Sequence, residues 1–360
     1  MVATRAASAI AATVALSFLA FVSPDPTPKP SPRSAFAPQH TGPDVELRGV
    51  AARDELHAWA SGAKGTVLRT TDGKKWETLR VAGGEDLDFR DLEAPSPGAL
   101  VLMAAGPGDK SRIYVSADGG DRWTLAHTNP DEKGFYDAIA FFDEKEGLVL
   151  GDPVGGRFVV RKTDDAGATW KDVPGQEMPP AREAEGAFAA SGTCLTALSR
   201  GNDAWFVTGG AGVGRVFHSA DRGKTWSVAD SPIQAGNASS GLFSVAFLDS
   251  TAGFVVGGDY KQPKLAALNG ARTADGGKTW LPAPIGESGY YSAVRGVPLT
   301  NGELVAVGPT GSARSSDLGR TWTRLDDTPL NAAAFAGPRA GWGVGPKGTI
   351  VRITDRVVGP

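Results

Sequence analysis

Tyrosines, arginines and carboxylates are the residues of this 360-residue chain that could carry chemistry. Tyr290 and Tyr291 are adjacent with Glu287 close by, and Arg112 lies in the segment SRIY. Arginines, a tyrosine nucleophile and an acidic partner can cleave an anionic glycoside, an exception to the two-carboxylate scheme. The segment GPGDKSR (Gly106 to Arg112) ends like a phosphate loop, but Asp109 stands where glycine must precede the lysine, and the pattern after it is that of a strand. GGAGVGR (Gly209 to Arg215) lacks dinucleotide-loop spacing and reads as a turn. His40, His57, His127 and His218 are scattered, and no pair has the spacing of metal ligands. A lone Cys194 cannot form an intrachain disulfide and reads as a buried thiol. No metal or cofactor is expected, and no catalytic acid and base can be assigned.

Formal charge is −3, with both signs mixed along the chain, which excludes the concentrated basic face of a nucleic-acid binder. The N-terminus has Arg5 followed by an uncharged, mostly apolar stretch, so residues 1–23 read as a signal peptide or N-terminal anchor. Residues 24–33, within SPDPTPKPSPRS, form a proline-rich linker. An exported protein follows, periplasmic or extracellular, with membrane contact only through that first segment.

The elements that position everything else come from a repeat. SADRGKTW, at Ser219 to Trp226, recurs in variants whose aspartates are Asp72, Asp118, Asp165, Asp221, Asp275 and Asp317 and whose tryptophans are Trp76, Trp123, Trp170, Trp226, Trp280 and Trp322. Spacings of 42 to 56 residues mean an array of supersecondary units. Each unit carries four short apolar runs separated by Gly, Pro or charged turns, hence a four-stranded antiparallel blade. The octet is the turn between the third and fourth strands. Its aspartate accepts backbone hydrogen bonds, its glycine takes a positive φ, and its tryptophan folds back over the turn. GWGVGPKGTIVRITD (Gly341 to Asp355) matches AWASGAKGTVLRTTD (Ala58 to Asp72) and supplies a seventh copy. Trp59, Trp205 and Trp342 share one place in their copies, so the repeat accounts for all nine tryptophans. The expected fold is all-β: a seven-bladed propeller over residues 34–360, with blades beginning near residues 46, 88, 135, 186, 241, 289 and 331. The last copy lacks a fourth strand, which residues near Ser34 to Gln39 should supply beside residues 349–353, closing the ring.

The octets resemble the Asp box of BNR-type propellers. With the exported N-terminus and the segment AEGAFAASGT, residues 45 to 355 resemble the photosystem II stability/assembly factor-like family and its secreted bacterial relatives of unknown role, often labelled oxidoreductase. That resemblance implies a non-enzymatic scaffold binding an assembling protein through an arginine patch, for which Arg90, Arg157 and Arg295 are the candidates. Sialidases also carry Asp boxes, and a glycan-active hydrolase is the alternative. SRIY lacks the proline of their arginine motif, and seven copies exceed their usual six blades.

Two stretches exceed the minimal repeat: GDPVGGRF (Gly151 to Phe158) and PPAREAEGAFAASGTCL (Pro179 to Leu195). Insertions map to loops, and loops carry function. The second-to-third-strand loops and the interblade loops share the face opposite the octets. The expected working surface there is Arg90, Tyr136, Asp137, Asp152, Arg157, Glu185, Tyr260 and Tyr291, with Arg182 and Glu183 nearby. Mixed charge with tyrosines suits an envelope or secreted protein partner, or a glycan. A monomer is expected.

Overall fold

The computed structural model describes residues 1–2, 36–39, 43–286 and 288–353. The signal segment, the linker, Glu287 and the seventh-copy Asp355 lie outside the described residues. Seven four-stranded antiparallel sheets form the propeller. Their inner strands are Leu47–Ala52, Phe89–Ser96, Tyr136–Phe141, Leu195–Ala197, Ser240–Phe247, Ala293–Gly296 and Ala332–Gly337. Six of these start close to the positions expected. The fourth does not: its inner strand begins at Leu195 rather than near residue 186, because the inserted residues before it leave the blade. Gly108–Lys110 is a single 3₁₀ turn followed by the strand Arg112–Ser116, so no helix N-terminus is present for a phosphate.

The blades stack on apolar side chains, and the octet turns seal the seams between them. In the third, Asp165 Oδ1 accepts from the Thr163 hydroxyl (2.8 Å) and the Thr169 amide (2.8 Å), while Trp170 Nε1 donates to Gly167 O (3.0 Å). Asp221 and Asp317 repeat the pattern with the Thr225 and Thr321 amides at 2.9 Å. Gly167 has φ 88° and Gly319 φ 78°, and any Cβ there would also strike the preceding blade, 2.9 Å from Val101 Cγ2 and 2.3 Å from Phe254 Cδ2. The glycine is required twice over, by backbone conformation and by close approach. Trp59 and Trp205 reach across the seams, donating to Gly119 O and Gly276 O of the next blade's turn, each at 2.9 Å.

Ring closure follows the same logic. Phe36–Gln39 pairs antiparallel with Ile350–Ile353, from Phe36 opposite Ile353 to Gln39 opposite Ile350. Gln39 then bridges into blade 1: its Nε2 donates to Gly73 O (2.6 Å) and its Oε1 accepts from Trp76 Nε1 (2.7 Å). Asn331 Nδ2 crosses the seam to Glu46 Oε1 (2.7 Å).

The donors held by the octet aspartates lie at exposed positions. Water replaces a lost acceptor there, so Asp221→Ala should cost about 1 kcal/mol, as for a helix N-cap, rather than the larger penalty of a buried orphan. Thr279 and Thr321 hydroxyls and amides hold the Asp275 and Asp317 carboxyls at about 2, below the ordinary 3.8. A carboxyl whose pKa is lowered in the folded state contributes stability above its unfolded value and loses it as pH falls through the folded one. Melting temperature should therefore fall between about pH 4 and about pH 2, less steeply in an Asp275→Asn/Asp317→Asn variant. Scanning calorimetry across that range reads the difference; identical profiles would remove these turns from acid sensitivity.

Candidate functional site

The inner strands share one irregularity. Four of the seven carry a β-bulge within their first four residues, at Arg48, Arg90, Asp137 and Phe243. A bulge re-aims the extra residue's side chain. On this face, where the inner strands begin, Arg48, Arg90, Phe188, Phe243, Tyr260 and Tyr290 line a cleft of about 400 Å³. Phe188 stacks on Phe243 with centroids 4.0 Å apart and planes 10° apart. Tyr290 and Tyr260 meet Phe243 edge-on at 4.8 and 6.0 Å. Tyr260 is 46% exposed.

Phe188 belongs to the insertion, which passes over the axis as a strap. Its base is a buried ion pair: Arg215 Nε donates to Glu185 Oε1 (2.8 Å), Arg215 Nη2 pairs with Glu185 Oε2, and the Thr208 hydroxyl also donates to Glu185. Further along, Asp152 Oδ1 accepts from the Ala187 amide (2.9 Å). Arg90 Nη1 donates to Ala189 O (3.2 Å) and Arg48 Nη1 to Ala190 O (3.3 Å). Ser191 Oγ donates to Ser292 O (3.0 Å), and Thr193 Oγ1 to Ser244 Oγ (2.6 Å). The strap thus touches blades 1 to 6 and roofs the central channel.

The residues of the expected working surface take different places around that roof. Arg90 and Tyr260 line the cleft. Asp137 sits at its bulge but is buried beneath the strap; burial pushes its carboxyl well up, the Asp152 charge adds to this, and Arg90 opposes it. Burial likewise raises Asp152 to about 6. Glu185 is buried at the strap's base. Tyr136 is core, its hydroxyl 2.9 Å from His127 Nε2, and burial pushes it up to about 12. Tyr291 packs in the core with Val256 and Ile285. Arg157 is exposed at the start of its strand, beside the Gly155–Gly156 turn, away from the cleft. Arg182 is also exposed, paired with Asp230 at 2.9 Å. Cys194 is buried, as expected. The three candidate patch arginines do not assemble, for Arg295 lines a separate cavity toward the octet face. The cleft also holds Arg48, Phe188, Phe243 and Tyr290, which the expected surface did not include. Arg48 was legible, since LRG at Leu47 aligns with FRD at Phe89.

The cleft lining contains no Asp or Glu. Burial raises the Tyr290 hydroxyl above its ordinary range, the wrong direction for a nucleophile. Among the described residues no group of three His, Cys, Asp or Glu side chains could hold a metal ion.

No family model matches the chain. Among curated proteins it is 26% identical to the photosystem II assembly protein Ycf48 of Synechococcus sp. (strain JA-2-3B'a(2-13)), over 56% of this chain and 79% of that protein. Among solved structures it is similar to YCF48 bound to D1 peptide (TM-score 0.64, 15% identity, 89% of this chain and 96% of the other). It is equally similar to YCF48 from Cyanidioschyzon merolae (TM-score 0.64, 14% identity, 89% and 99%). A Niastella koreensis GH74 enzyme matches over 87% of this chain but 44% of its own length (TM-score 0.57, 15% identity). The resemblance read from the repeat thus holds in sequence and in fold: this seven-bladed propeller is similar to the photosystem II assembly factor Ycf48.

Proposed function

We propose that the chain is an exported, non-enzymatic scaffold that takes an extended segment of an envelope or secreted protein partner in the roofed cleft. The observation that carries this reading is the pair of bulged arginines, Arg48 and Arg90, on neighbouring blades beside a cluster of four aromatic rings. Guanidinium groups recognise carboxylates bidentately, and aromatic surfaces anchor apolar side chains. The similar YCF48 structure holds a D1 peptide, which supports peptide binding by this architecture. Glycan hydrolysis is the weaker reading, because the cleft has neither a carboxylate pair nor an activated tyrosine.

An Arg48→Ala/Arg90→Ala variant should weaken capture of the envelope partner about 100-fold, the loss of two charge-assisted contacts, with a smaller fall in melting temperature from the lost strap bonds to Ala189 and Ala190. Affinity capture from envelope extracts, with the partner identified and then titrated as a synthetic segment, measures this. Unchanged affinity in the variant, or loss only when the octet face is altered, would move the site elsewhere.

A further inference from the structure

The octet-face end of the central channel holds a second cavity, of about 260 Å³, lined by six of the seven blades. Its walls are inner-strand residues: Val50 to Ala52, Glu93, Ala94, Thr196, Phe247, Arg295, Ala334 and Phe335. Two charges face this small space. Arg295 comes from blade 6 and Glu93 from blade 2, three blades apart, the greatest separation a seven-membered ring allows. They sense each other, since the Arg295 charge opposes the burial that raises the Glu93 carboxyl. Yet no ion pair joins them among the described residues, and Arg295 Nε is buried with no hydrogen-bond partner. Asp91, on the same strand as Glu93, is committed elsewhere: its oxygens accept from the Leu92 and Ile139 amides at 2.8 and 2.7 Å.

Arg295 is only half-buried as a residue, but a buried guanidinium N–H without a partner is costly, and natural interiors rarely keep one without a use. Opposite charges held across a cavity, too far apart to pair directly, match a ligand carrying both complementary charges. We propose that this cavity binds a free α-amino acid, its carboxylate on Arg295, its ammonium on Glu93, and its side chain between the half-buried rings of Phe247 and Phe335. A lone anion would face the repulsion of Glu93, and a lone cation that of Arg295. The strap and its cleft lie at the other end of the channel, so this site is independent of the partner site.

Saturation-transfer NMR and calorimetry on the full chain, with glycine, alanine, leucine and phenylalanine, test the idea. Acetate supplies the carboxylate alone and ethylamine the ammonium alone. Free amino acids should bind, with both controls at least about tenfold weaker, as expected when one of two charge contacts is missing. Arg295→Gln and Glu93→Gln should each weaken amino-acid binding about tenfold, whereas Arg48→Ala/Arg90→Ala should leave it unchanged. Ala334→Leu, which fills the cavity without touching either charge, should abolish it. The proposal is overturned if no amino acid binds the wild-type chain, if acetate or ethylamine binds as well as alanine, or if affinity survives Arg295→Gln or Ala334→Leu.

Discussion

Replacing Glu185 with alanine should destabilise the propeller by about 3–5 kcal/mol, because it strands the Arg215 charge in a dry setting. Their side chains are only 1% and 7% exposed, so solvent cannot take over the lost interaction. For a domain of this size the melting temperature should fall by roughly 5–8 °C. The change reaches the cleft as well. Glu185 Oε2 also accepts from the Arg182 amide (2.8 Å), which fixes where the strap leaves blade 4, and Phe188 three residues on is a wall of the cleft. Partner affinity should therefore drop with stability. The double variant Glu185→Leu/Arg215→Met separates the two effects. Removing both charges into a packed apolar pair should recover most of the stability, since a buried ion pair contributes little beyond its own desolvation. If Glu185→Ala melts like the parent, the strap is held by its remaining anchors, Asp152, Arg90, Arg48, Ser292 and Ser244.

Starting the chain at Pro43 should cost at least about 5 kcal/mol relative to a chain starting at Ser34. Phe36 is 4% exposed and packs with Ala293, Val297 and Ile353, so its loss alone matches a large-to-small core substitution of about 3–5 kcal/mol. The two bonds of Gln39 to Gly73 and Trp76 go with it. The strand Ile350–Ile353 would then present an unpaired edge, which invites association between molecules. A melting temperature lower by roughly 8 °C, with aggregation on heating, is the expected outcome in calorimetry and light scattering. A synthetic peptide of residues 34–42 should restore part of the loss in a concentration-dependent way. Equal melting of the two chains would show that Asn331, bonded to Glu46, and Arg352, whose Nη1 donates to Glu55 O (2.7 Å), hold the last seam unaided.

The architecture was legible because its signals are local and repeated. Each octet states a turn, and the phase of Trp59, Trp205 and Trp342 identifies the second strand of its copy. The cleft was only half legible. Position in the repeat gives the face on which Tyr136, Asp137 or Tyr291 begins its strand, but not whether a side chain points to the axis or into a seam. The bulges at Arg48, Arg90, Asp137 and Phe243 decide that, and they depend on pairing with the next strand. The strap was legible as extra length before Leu195. Its path over the axis was not, because it is set by Asp152, Arg90 and Arg48, which belong to three other blades.

Closure by the first strand also governs timing. Phe36–Gln39 is made first, but its partner Ile350–Ile353 is made last. Blades 1 to 6 contain all four of their strands in local order and can assemble as they emerge, whereas blade 7 waits for both ends of the chain. Until then the apolar flank of Phe36 is uncovered and the stack is an open arc. Joining residues some 285 positions apart, as Asn331 does to Glu46, ring closure closes a loop of nearly the whole propeller. The edge of Ile350–Ile353 therefore stays open to other chains until the ring closes, and closure removes it.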